Sequence, residues 1–317
     1  MPYLGIDVGG TNLSVGVVDE EYNIIGRGAR RSHVPRPIDD FCDDIAAAAL
    51  DAVADAGLEL SDIDNCGIGC PGVINPNNGI VEYSNNLRFS NIPLADMISS
   101  RLNGIKTYIT NDANAAALGE VLAGAAKGAS SALVVTIGTG IGGGIIVDGK
   151  IFTGCNGVAG EMGHTLLIKN GIECTCGRHG CFEAYASAIA LKRQTADAMR
   201  AHPESVMWQL VGAPEKVSGR TPFEAMRMGD AAATEVVETY IDYLADGITD
   251  AVNMIQPEVV CLGGGVSKEG EGLLVPLEKL VAQRRFCRGN VAQPKLVCAK
   301  LANDAGIIGA AMLWRHG

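Results

Sequence analysis

The residues with the most specific chemical potential form a cysteine-rich stretch in the middle of the chain. Three cysteines lie within eight residues and a histidine precedes them, namely Cys174, Cys176, Cys181 and His164. Thiolate and imidazole groups in this number can form a tetrahedral Zn²⁺ site. The spacing is not that of a common zinc finger, and His179 is a rival to His164 as the fourth ligand. Reduced cysteines that only pack in the interior are the alternative interpretation.

Three carboxylates have positions that suit work on a polyhydroxyl substrate. Glu161 and Glu183 flank the cysteine-rich stretch in fixed register with its proposed ligands, which suits hydrogen bonding to hydroxyl groups. They could also be ordinary surface carboxylates. Asp112 lies where a predicted strand passes into an alanine-rich helix, and the local pattern favours a helix N-cap. An aspartate at such a junction could instead accept a proton from a substrate hydroxyl as a general base.

The 41 glycines are concentrated in a few short stretches, three of which suggest phosphate binding. Backbone N–H groups in a glycine turn can hold phosphate oxygens, and a carboxylate at a strand end can face a hydrated Mg²⁺. The first stretch taken alone is better explained as a tight hairpin, but a second one at an equivalent place predicts a pair of turns that hold a polyphosphate. The third follows an apolar strand, where α/β sheets commonly bind ligands, although a plain loop is the alternative there. The candidate residues are Asp7, Gly9, Gly10, Thr11, Asn12, Gly138, Thr139, Gly140, Gly264 and Gly265.

The two glycine turns belong to a pattern that occurs twice. A shift of 129 residues superimposes Leu4 on Leu133, Gly9 on Gly138 and Asp19 on Asp148. Around these positions both halves follow the order strand, glycine turn, strand, acidic turn. The shared order predicts an internal duplication.

Hydrophobic periodicity predicts an α/β protein in which strands are followed by helices in each half. The predicted helices span 39–57, 93–102, 183–200, 230–256 and 303–314, the last as an amphipathic helix. Buried strands are predicted at 66–70 and 259–262, and another short strand is predicted at 106–110. The uncharged stretch 128–147 has the length of a membrane span, but half of it is Gly, Ser or Thr, and it reads as strand, turn, strand.

Charge and cysteine usage restrict the partners and the compartment. The net charge of −11 opposes binding to nucleic acid and to an anionic membrane surface. The N-terminus lacks the basic and apolar regions of a signal peptide, so we expect a cytoplasmic protein with no membrane partner. Its ten cysteines are then expected to be mostly reduced thiols.

The motifs taken together resemble the ROK family of sugar kinases, and within it the bacterial glucokinases. The resemblance covers essentially the whole chain and is carried by six stretches, which are Asp7 to Asn12, Asn86-Leu87, Asn111 to Ala115, Gly138 to Gly144, Glu161 to His164 and Cys174 to Glu183. It implies an actin-like ATPase fold with two duplicated, ribonuclease H-like domains that close over a cleft. We expect residues 1–115, completed by a C-terminal helix at 303–317, to form the first domain, and residues 116–302 to form a larger second domain with the zinc site.

The resemblance also implies a reaction and roles for single residues. The expected reaction is ATP-dependent phosphorylation of a hexose, most simply glucose to glucose 6-phosphate, with Mg²⁺ accompanying ATP and Asp112 as the base. The implied sugar-binding residues are Asn86, Asn111, Asp112, Glu161, His164 and Glu183. The implied structural zinc ligands are His164, Cys174, Cys176 and Cys181, so that His164 serves both the metal and the sugar. We also expect a homodimer or higher homo-oligomer.

Four alternatives remain at this level. Fructose, allose, N-acetylglucosamine and N-acetylmannosamine kinases share this constellation, and inorganic polyphosphate could replace ATP as the donor. A sugar-sensing regulator of the same family would carry an N-terminal helix-turn-helix segment, for which a first strand beginning at Tyr3 leaves no room. A zinc-stabilised sugar-binding module without activity predicts loss of the aspartate or of the glycine turns, and the sequence retains both.

Overall fold

Two five-stranded sheets with the same strand order organise the chain, of which the computed structural model describes residues 1–289 and 291–317. The strands are β1 (Tyr3–Val8), β2 (Asn12–Val18), β3 (Ile24–Arg31), β4 (Asn65–Cys70), β5 (Val73–Asn75), β6 (Ile80–Ser84), β7 (Phe89–Ile92), β8 (Lys106–Asn111), β9 (Ala132–Ile137), β10 (Ile141–Val147), β11 (Lys150–Ile151), β12 (Val259–Gly264) and β13 (Lys295–Cys298). The α-helices are α1 (Ile38–Asp55), α2 (Leu94–Arg101), α3 (Asp112–Leu122), α4 (Glu183–Ala186), α5 (Ala188–Ala201), α6 (Met207–Val211), α7 (Thr221–Arg227), α8 (Ala231–Ile255), α9 (Glu271–Arg284), α10 (Asp304–Ala311) and α11 (Leu313–His316).

The repeated sheet agrees with the duplication predicted from the sequence. The first sheet has the order β3-β2-β1-β4-β8 and the second has the order β11-β10-β9-β12-β13. In the first sheet β1 and β2, and β2 and β3, are antiparallel, whereas β1 and β4, and β4 and β8, are parallel. In the second sheet β10 pairs antiparallel with β11 and β12 pairs parallel with β13. Each sheet therefore combines antiparallel with parallel pairs of strands, and a third, three-stranded sheet has the order β5-β6-β7.

The chain divides into two compact units that do not follow the sequence continuously. Unit 1 consists of Met1–Val134, Gly144–Gly160 and Lys300–Gly317, and unit 2 of Val135–Gly143 and Glu161–Ala299. The segment that carries α10 and α11 therefore belongs to the same unit as β1.

Close packing of small residues holds α10 in unit 1. A Cβ added to Gly5 of β1 would collide with the carbonyl oxygen of Ile307, and one added to Gly309 would collide with the carbonyl oxygen of Ala115 in α3. The predicted amphipathic helix at 303–314 is wrong in character, because every residue from Ala305 to Ala311 is buried. A helix enclosed on all sides is apolar on all sides, so α10 has no polar face.

Most other predicted elements are present, with one interruption. The uncharged stretch 128–147 forms β9 and β10, and among the described residues no helix is long and apolar enough to cross a membrane. The predicted helix at 183–200 is divided at Ser187, whose hydroxyl accepts a hydrogen bond from the N–H of Ala190 at 3.1 Å and caps α5. The sequence analysis did not predict α9 or the β5-β6-β7 sheet.

In unit 2 the long helix α8 supports the residues that follow the cysteine-rich stretch. The buried hydroxyl of Tyr240 donates a hydrogen bond to the carbonyl oxygen of Ala186 at 2.9 Å. A Cβ at Gly247 would collide with the ring of Phe182, which is fully buried next to Glu183. These contacts fix α4 and the carboxylate at its start.

Candidate active site

The first glycine turn joins β1 to β2 in unit 1. The N–H of Gly9 donates to the carbonyl oxygen of Asn12 at 2.9 Å, which closes the turn. A Cβ at Gly10 would find only the Cβ of Asn86 within 4 Å, at 3.9 Å. Gly10 and Thr11 are exposed, so the backbone of the turn is open to a ligand. Asn86 lies in the exposed turn between β6 and β7, beside this backbone.

Asp7 is a mostly buried carboxylate near the end of β1 and beside α10. A Cβ at Gly306 would lie 2.7 Å from its Cγ, so only glycine fits there. Burial, and secondarily the negative charge of Asp112, raise the pKa of Asp7 to about 6. Among residues 1–289 and 291–317, no Lys or Arg forms an ion pair with Asp7. Two carboxylates in this situation form a place where a cation is electrostatically favoured.

Asp112 is the first residue of α3, and the helix cap is the residue before it. The side chain of Asn111 accepts from the N–H of Ala113 at 2.9 Å and donates to the carbonyl oxygen of Gly72 at 3.2 Å. The N-cap alternative for Asp112 is therefore wrong in position, although its own Oδ1 also accepts from the N–H of Ala113 at 2.9 Å. Asn111 is committed to local hydrogen bonds, and the half-buried Asp112 lies at the helix N-terminus, which favours negative charge.

The second glycine turn joins β9 to β10 and contacts Glu183 within unit 2. The N–H of Gly138 donates to the carbonyl oxygen of Gly140 at 3.0 Å, and nothing lies within 4 Å of a Cβ at Gly138. A Cβ at Gly140 would collide with the carboxylate of Glu183. One oxygen of that carboxylate accepts from the N–H of Ile141 at 2.9 Å. The turn therefore has an open side at Gly138 and a side occupied by a carboxylate.

The third glycine cluster follows β12 and lies close to β9. Gly264 has a φ of +88°, and a Cβ there would collide with the carbonyl oxygen of Ile137. The hydroxyl of Ser267 donates to the carbonyl oxygen of Gly264 at 2.8 Å. Gly265 has no atom within 4 Å of an added Cβ. A loop that needs a left-handed residue explains Gly264, and the open space is at Gly265.

The four predicted metal ligands come together in unit 2. The ligand atoms of His164, Cys174, Cys176 and Cys181 all lie within 4.8 Å of one another. The Sγ atoms of Cys176 and Cys181 are 3.7 Å apart, and Cys174 Sγ lies 3.7 Å from Nδ1 of His164. Ligands at about 2.3 Å from a tetrahedral zinc would lie about 3.8 Å from each other.

The neighbours of this cluster distinguish the two histidines and connect the cluster to Glu183. His179 is exposed, and its Nδ1 lies 3.3 Å from the carbonyl oxygen of Gly171, outside the group of four. The second carboxylate oxygen of Glu183 accepts from Thr175 Oγ1 at 3.4 Å and lies 3.8 Å from Sγ of Cys174. Glu183 therefore joins the second glycine turn to the cysteine-rich stretch.

Glu161 precedes the 3₁₀ turn that carries His164. The turn spans Met162–His164, and the N–H of His164 donates to the carbonyl oxygen of Glu161 at 3.1 Å. A Cβ at Gly163 would collide with the carbonyl oxygen of Ile141, which explains the glycine between the two polar residues. The side chain of Glu161 is exposed.

Two residues that the sequence analysis did not single out support the part of the candidate site that lies in unit 1. Ser32 is fully buried; its hydroxyl donates to the carbonyl oxygen of Gly9 at 2.6 Å and its N–H donates to that of Thr11 at 2.9 Å. Glu120 is a buried carboxylate that accepts from the N–H groups of Ala125, Lys300 and Leu301 at 2.7 to 3.2 Å. No motif around Ser32 indicates its role. Glu120 could have been recognised from the sequence, because a glutamate at the buried end of an alanine-rich helix needs hydrogen-bond donors.

Within each unit, then, a polar group of residues surrounds a glycine turn. Unit 1 brings the first turn together with Asn86 and pairs Asp7 with Asp112. Unit 2 brings the second turn together with Glu183 and the cysteine-rich stretch. An exposed turn backbone next to carboxylates can bind a phosphate chain with its cation, and a carboxylate at a helix N-terminus can accept a proton.

Known proteins are similar to this chain over nearly its whole length. The model of the ROK family matches residues 3–316. A glucokinase of Thermotoga maritima is 37% identical over 314 residues, which are 98% of this chain and 96% of that protein. A glucokinase of Streptomyces coelicolor is 35% identical over 321 residues, covering 99% of this chain and 97% of the relative. The crystal structure of a ROK family glucokinase from Streptomyces griseus, in complex with glucose and AMPPNP, superimposes with a TM-score of 0.83, 34% identity and full coverage of both chains.

Proposed function

The chain belongs to the ROK family and has its actin-like ATPase fold, and from this membership we propose that it is an ATP-dependent glucokinase that converts glucose to glucose 6-phosphate. The observation that carries the proposal is the full-length similarity to a glucokinase crystallised with glucose and the ATP analogue AMPPNP. The local geometry supports it, because the first glycine turn lies beside Asn86, Asp7 lies near Asp112, the second turn contacts Glu183, and three cysteines and a histidine form one cluster.

We assign the role of general base to Asp112. In the proposed reaction the 6-hydroxyl of glucose gives its proton to the Asp112 carboxylate, the sugar oxygen forms a bond to the γ-phosphorus, and the bond from that phosphorus to the ADP oxygen breaks. The half-buried position at the start of α3 suits this role, since the helix N-terminus favours the carboxylate form that accepts a proton. Positioning and charge neutralisation supply most of the rate enhancement in phosphoryl transfer.

For ATP we assign the backbone of the glycine turns and, for its Mg²⁺, Asp7. The first turn supplies Gly9, Gly10, Thr11 and Asn12, the second Gly138, Thr139 and Gly140, and the loop after β12 supplies Gly264 and Gly265. Asp7 fits a metal because its carboxylate is mostly buried and has a second carboxylate as its charged neighbour. Bound Mg²⁺ supplies charge neutralisation of the phosphates.

For the sugar we assign hydrogen bonds from Asn86, Asn111, Glu161, His164 and Glu183. Besides His164, which belongs to the cysteine cluster, two of these side chains have other partners already. Asn111 caps α3, and Glu183 accepts from the N–H of Ile141. A carboxylate has about four acceptor positions and an amide about two, so both can bind a hydroxyl while keeping these partners.

A structural zinc ion fits the cluster of His164, Cys174, Cys176 and Cys181. Burial, followed by the neighbouring thiols, raises the pKa of Cys181 to about 12, so a cation is needed to hold this sulfur as a thiolate at neutral pH. The separations of 3.7 Å agree with tetrahedral edges. Zinc there would fix the segment that carries His164 and Glu183.

The test is a panel of sugars and donors with the purified protein. Glucose, fructose, allose, mannose, N-acetylglucosamine and N-acetylmannosamine would each be supplied with ATP or with inorganic polyphosphate, and ADP formation and sugar phosphate would be measured separately. We expect the highest kcat/KM with glucose and ATP. The Asp112→Asn variant is the matched control for a contaminating kinase. A higher kcat/KM for another sugar, or no sugar phosphate at all, would contradict the proposal.

We further propose that the protein acts in the cytoplasm as a homodimer. All ten cysteines are free, which fits a reducing compartment that also contains ATP. In unit 2, Phe286 and Met254 are 90% and 84% exposed, and the N–H of Phe286 donates to Asn253 at the end of α8. Apolar side chains this exposed suit a surface that a second copy covers. Sedimentation velocity with Phe286→Asp would test it, since a dimer through this surface should dissociate.

A further inference from the structure

A basic segment that is distant in sequence from the first glycine turn lies next to it in the structure. It consists of residues 30–36, at the end of β3 and just beyond, and contains three arginines and a histidine. Ser32, in the middle of the segment, donates hydrogen bonds to the carbonyl oxygens of Gly9 and Thr11 at 2.6 and 2.9 Å. The segment is therefore fixed to the turn by its backbone, and any cation it carries is held at that place.

Strand register decides which arginine of the segment faces the site. Arg31 is directly opposite Asn12 of the turn, and Asp7, Ser14 and Ala29 form the adjacent row on the same face. Side chains that are paired across strands, or two residues apart along a strand, share one face of the sheet. Arg31 therefore lies on the face of Asp7, at the end of the sheet where the glycine turn is. Arg30 lies on the opposite face, on the side of α1.

The other arginines of β3 and the segment are used in ion pairs. Arg27 contacts Asp304, Arg30 contacts Asp51, and Arg36 contacts Asp44, at 2.6 to 2.8 Å. Arg31 is exposed, and among residues 1–289 and 291–317 its guanidinium has no carboxylate within ion-pair distance. An unpaired arginine held beside a phosphate-binding turn retains all of its hydrogen-bond donors.

The negative charge around the first glycine turn indicates a role for Arg31. Asp7 and Asp112 are acidic groups in the same unit, and the whole chain carries a net charge of −11, so a polyanion meets repulsion as it approaches the turn. Arginine binds phosphate through charge-assisted, often paired, hydrogen bonds. We propose that Arg31 is a donor-binding residue that contacts a phosphate of the phosphoryl donor at the first glycine turn. The proposal rests on the proposed function, and it adds a residue outside the glycine turns.

The test compares two neighbouring arginines on opposite faces of the same strand. The affinity for MgATP and for magnesium tripolyphosphate would be measured by titration calorimetry on Arg31→Gln, Arg31→Lys and the matched control Arg30→Gln. Arg31→Gln should raise the Kd of both ligands about fivefold to tenfold, about 1 to 1.4 kcal/mol, and leave the Kd of glucose unchanged. Arg31→Lys should recover part of the loss, and Arg30→Gln should stay within about twofold of the parent protein. The loss in Arg31→Gln should shrink as salt is raised, because exposed charges are screened.

The outcomes separate this proposal from the proposed function. If the parent protein phosphorylates glucose with ATP but Arg31→Gln binds both ligands as tightly as Arg30→Gln does, the role of Arg31 is overturned and the glucokinase proposal stands. A loss for MgATP without a loss for tripolyphosphate would also overturn it, because the contact would then be to the nucleoside. A parent protein that binds neither ligand would overturn both.

Discussion

Replacing Asp7 by asparagine should make the ligand-free protein more stable at alkaline pH. The Asp7 carboxylate is buried beside α10 and close to Asp112, and its pKa is about 6 in the folded protein, compared with an ordinary value of 3.8. Since the folded state raises this pKa, the ionised carboxylate opposes folding. The cost is absent below pH 3.8, grows as the pH rises to 6, and is complete above it. At about 1.4 kcal/mol per pH unit, this difference corresponds to about 3 kcal/mol.

The measurement is urea unfolding of both proteins at pH 4.5, 6 and 8, without nucleotide or Mg²⁺. Trp314 stacks on Tyr3 with ring centroids 5.3 Å apart, so its fluorescence reports on unit 1. A Trp208→Phe background removes the other tryptophan, which is in unit 2. We expect Asp7→Asn to exceed its parent in unfolding free energy by up to about 3 kcal/mol at pH 8 and by much less at pH 4.5.

Asp19 supplies the matched control, because its environment lowers its pKa whereas that of Asp7 raises it. Burial acts to raise its pKa, but hydrogen bonds from Asn23 and Glu21 outweigh burial, and the pKa is lowered. Asp19 therefore contributes stability above its ordinary pKa that is lost as the pH falls. Asp19→Asn should be less stable than its parent at pH 8. A difference between Asp7→Asn and its parent that does not change with pH, or that favours the parent at pH 8, would refute the reasoning.

Three further variants test the assigned roles. Asp112→Asn should lower kcat by about 10² to 10⁴ while calorimetry shows glucose binding retained; near-normal turnover would exclude a general base. Cys176→Ser should reduce the metal content from about one zinc per chain and raise the KM for glucose; fully active parent protein that metal analysis shows to be zinc-free would reject the site. Glu120→Ala should lower the free energy of unfolding by about 2 to 4 kcal/mol, because three backbone N–H groups lose their acceptor. An unchanged urea midpoint in Glu120→Ala would show that water replaces the carboxylate.

The features that the sequence predicted are those encoded within short stretches. The glycine turns at Gly9 and Gly138, the passage from strand to helix at Asp112, and the cysteine spacing each depend on residues close to one another in the chain. Local backbone and side-chain preferences act over these distances, so a pattern is sufficient to recognise them. The repeated strand order could be predicted for the same reason, because the pattern occurs twice.

The features that the sequence did not predict depend on contacts between distant residues. Nothing near Gly306 indicates that it lies against Asp7, and nothing near Ser32 indicates that it fixes the first turn. The polar character expected for α10 was wrong for the same reason, because burial on every side is decided by β1 and α3 rather than by the helix itself. The residues alone left His164 and His179 as rivals, since both are close in sequence to the cysteines; the family resemblance implied His164, and the contacts that bring it into the cluster of four are seen only in the structure.

The membership of α10 in unit 1 constrains how the chain can fold during synthesis. The helix follows unit 2 in the sequence, yet Ile307 fills the space above Gly5 of the first strand. The residues of β1, β4 and α3 therefore emerge from the ribosome long before the segment that completes their core. Their apolar surfaces remain uncovered while residues 161–299 are synthesised. Contacts of such high sequence separation form late and slowly. Unit 1 should consequently be the last part of a nascent chain to resist proteolysis and the part most dependent on chaperones, although it contains the first residues made.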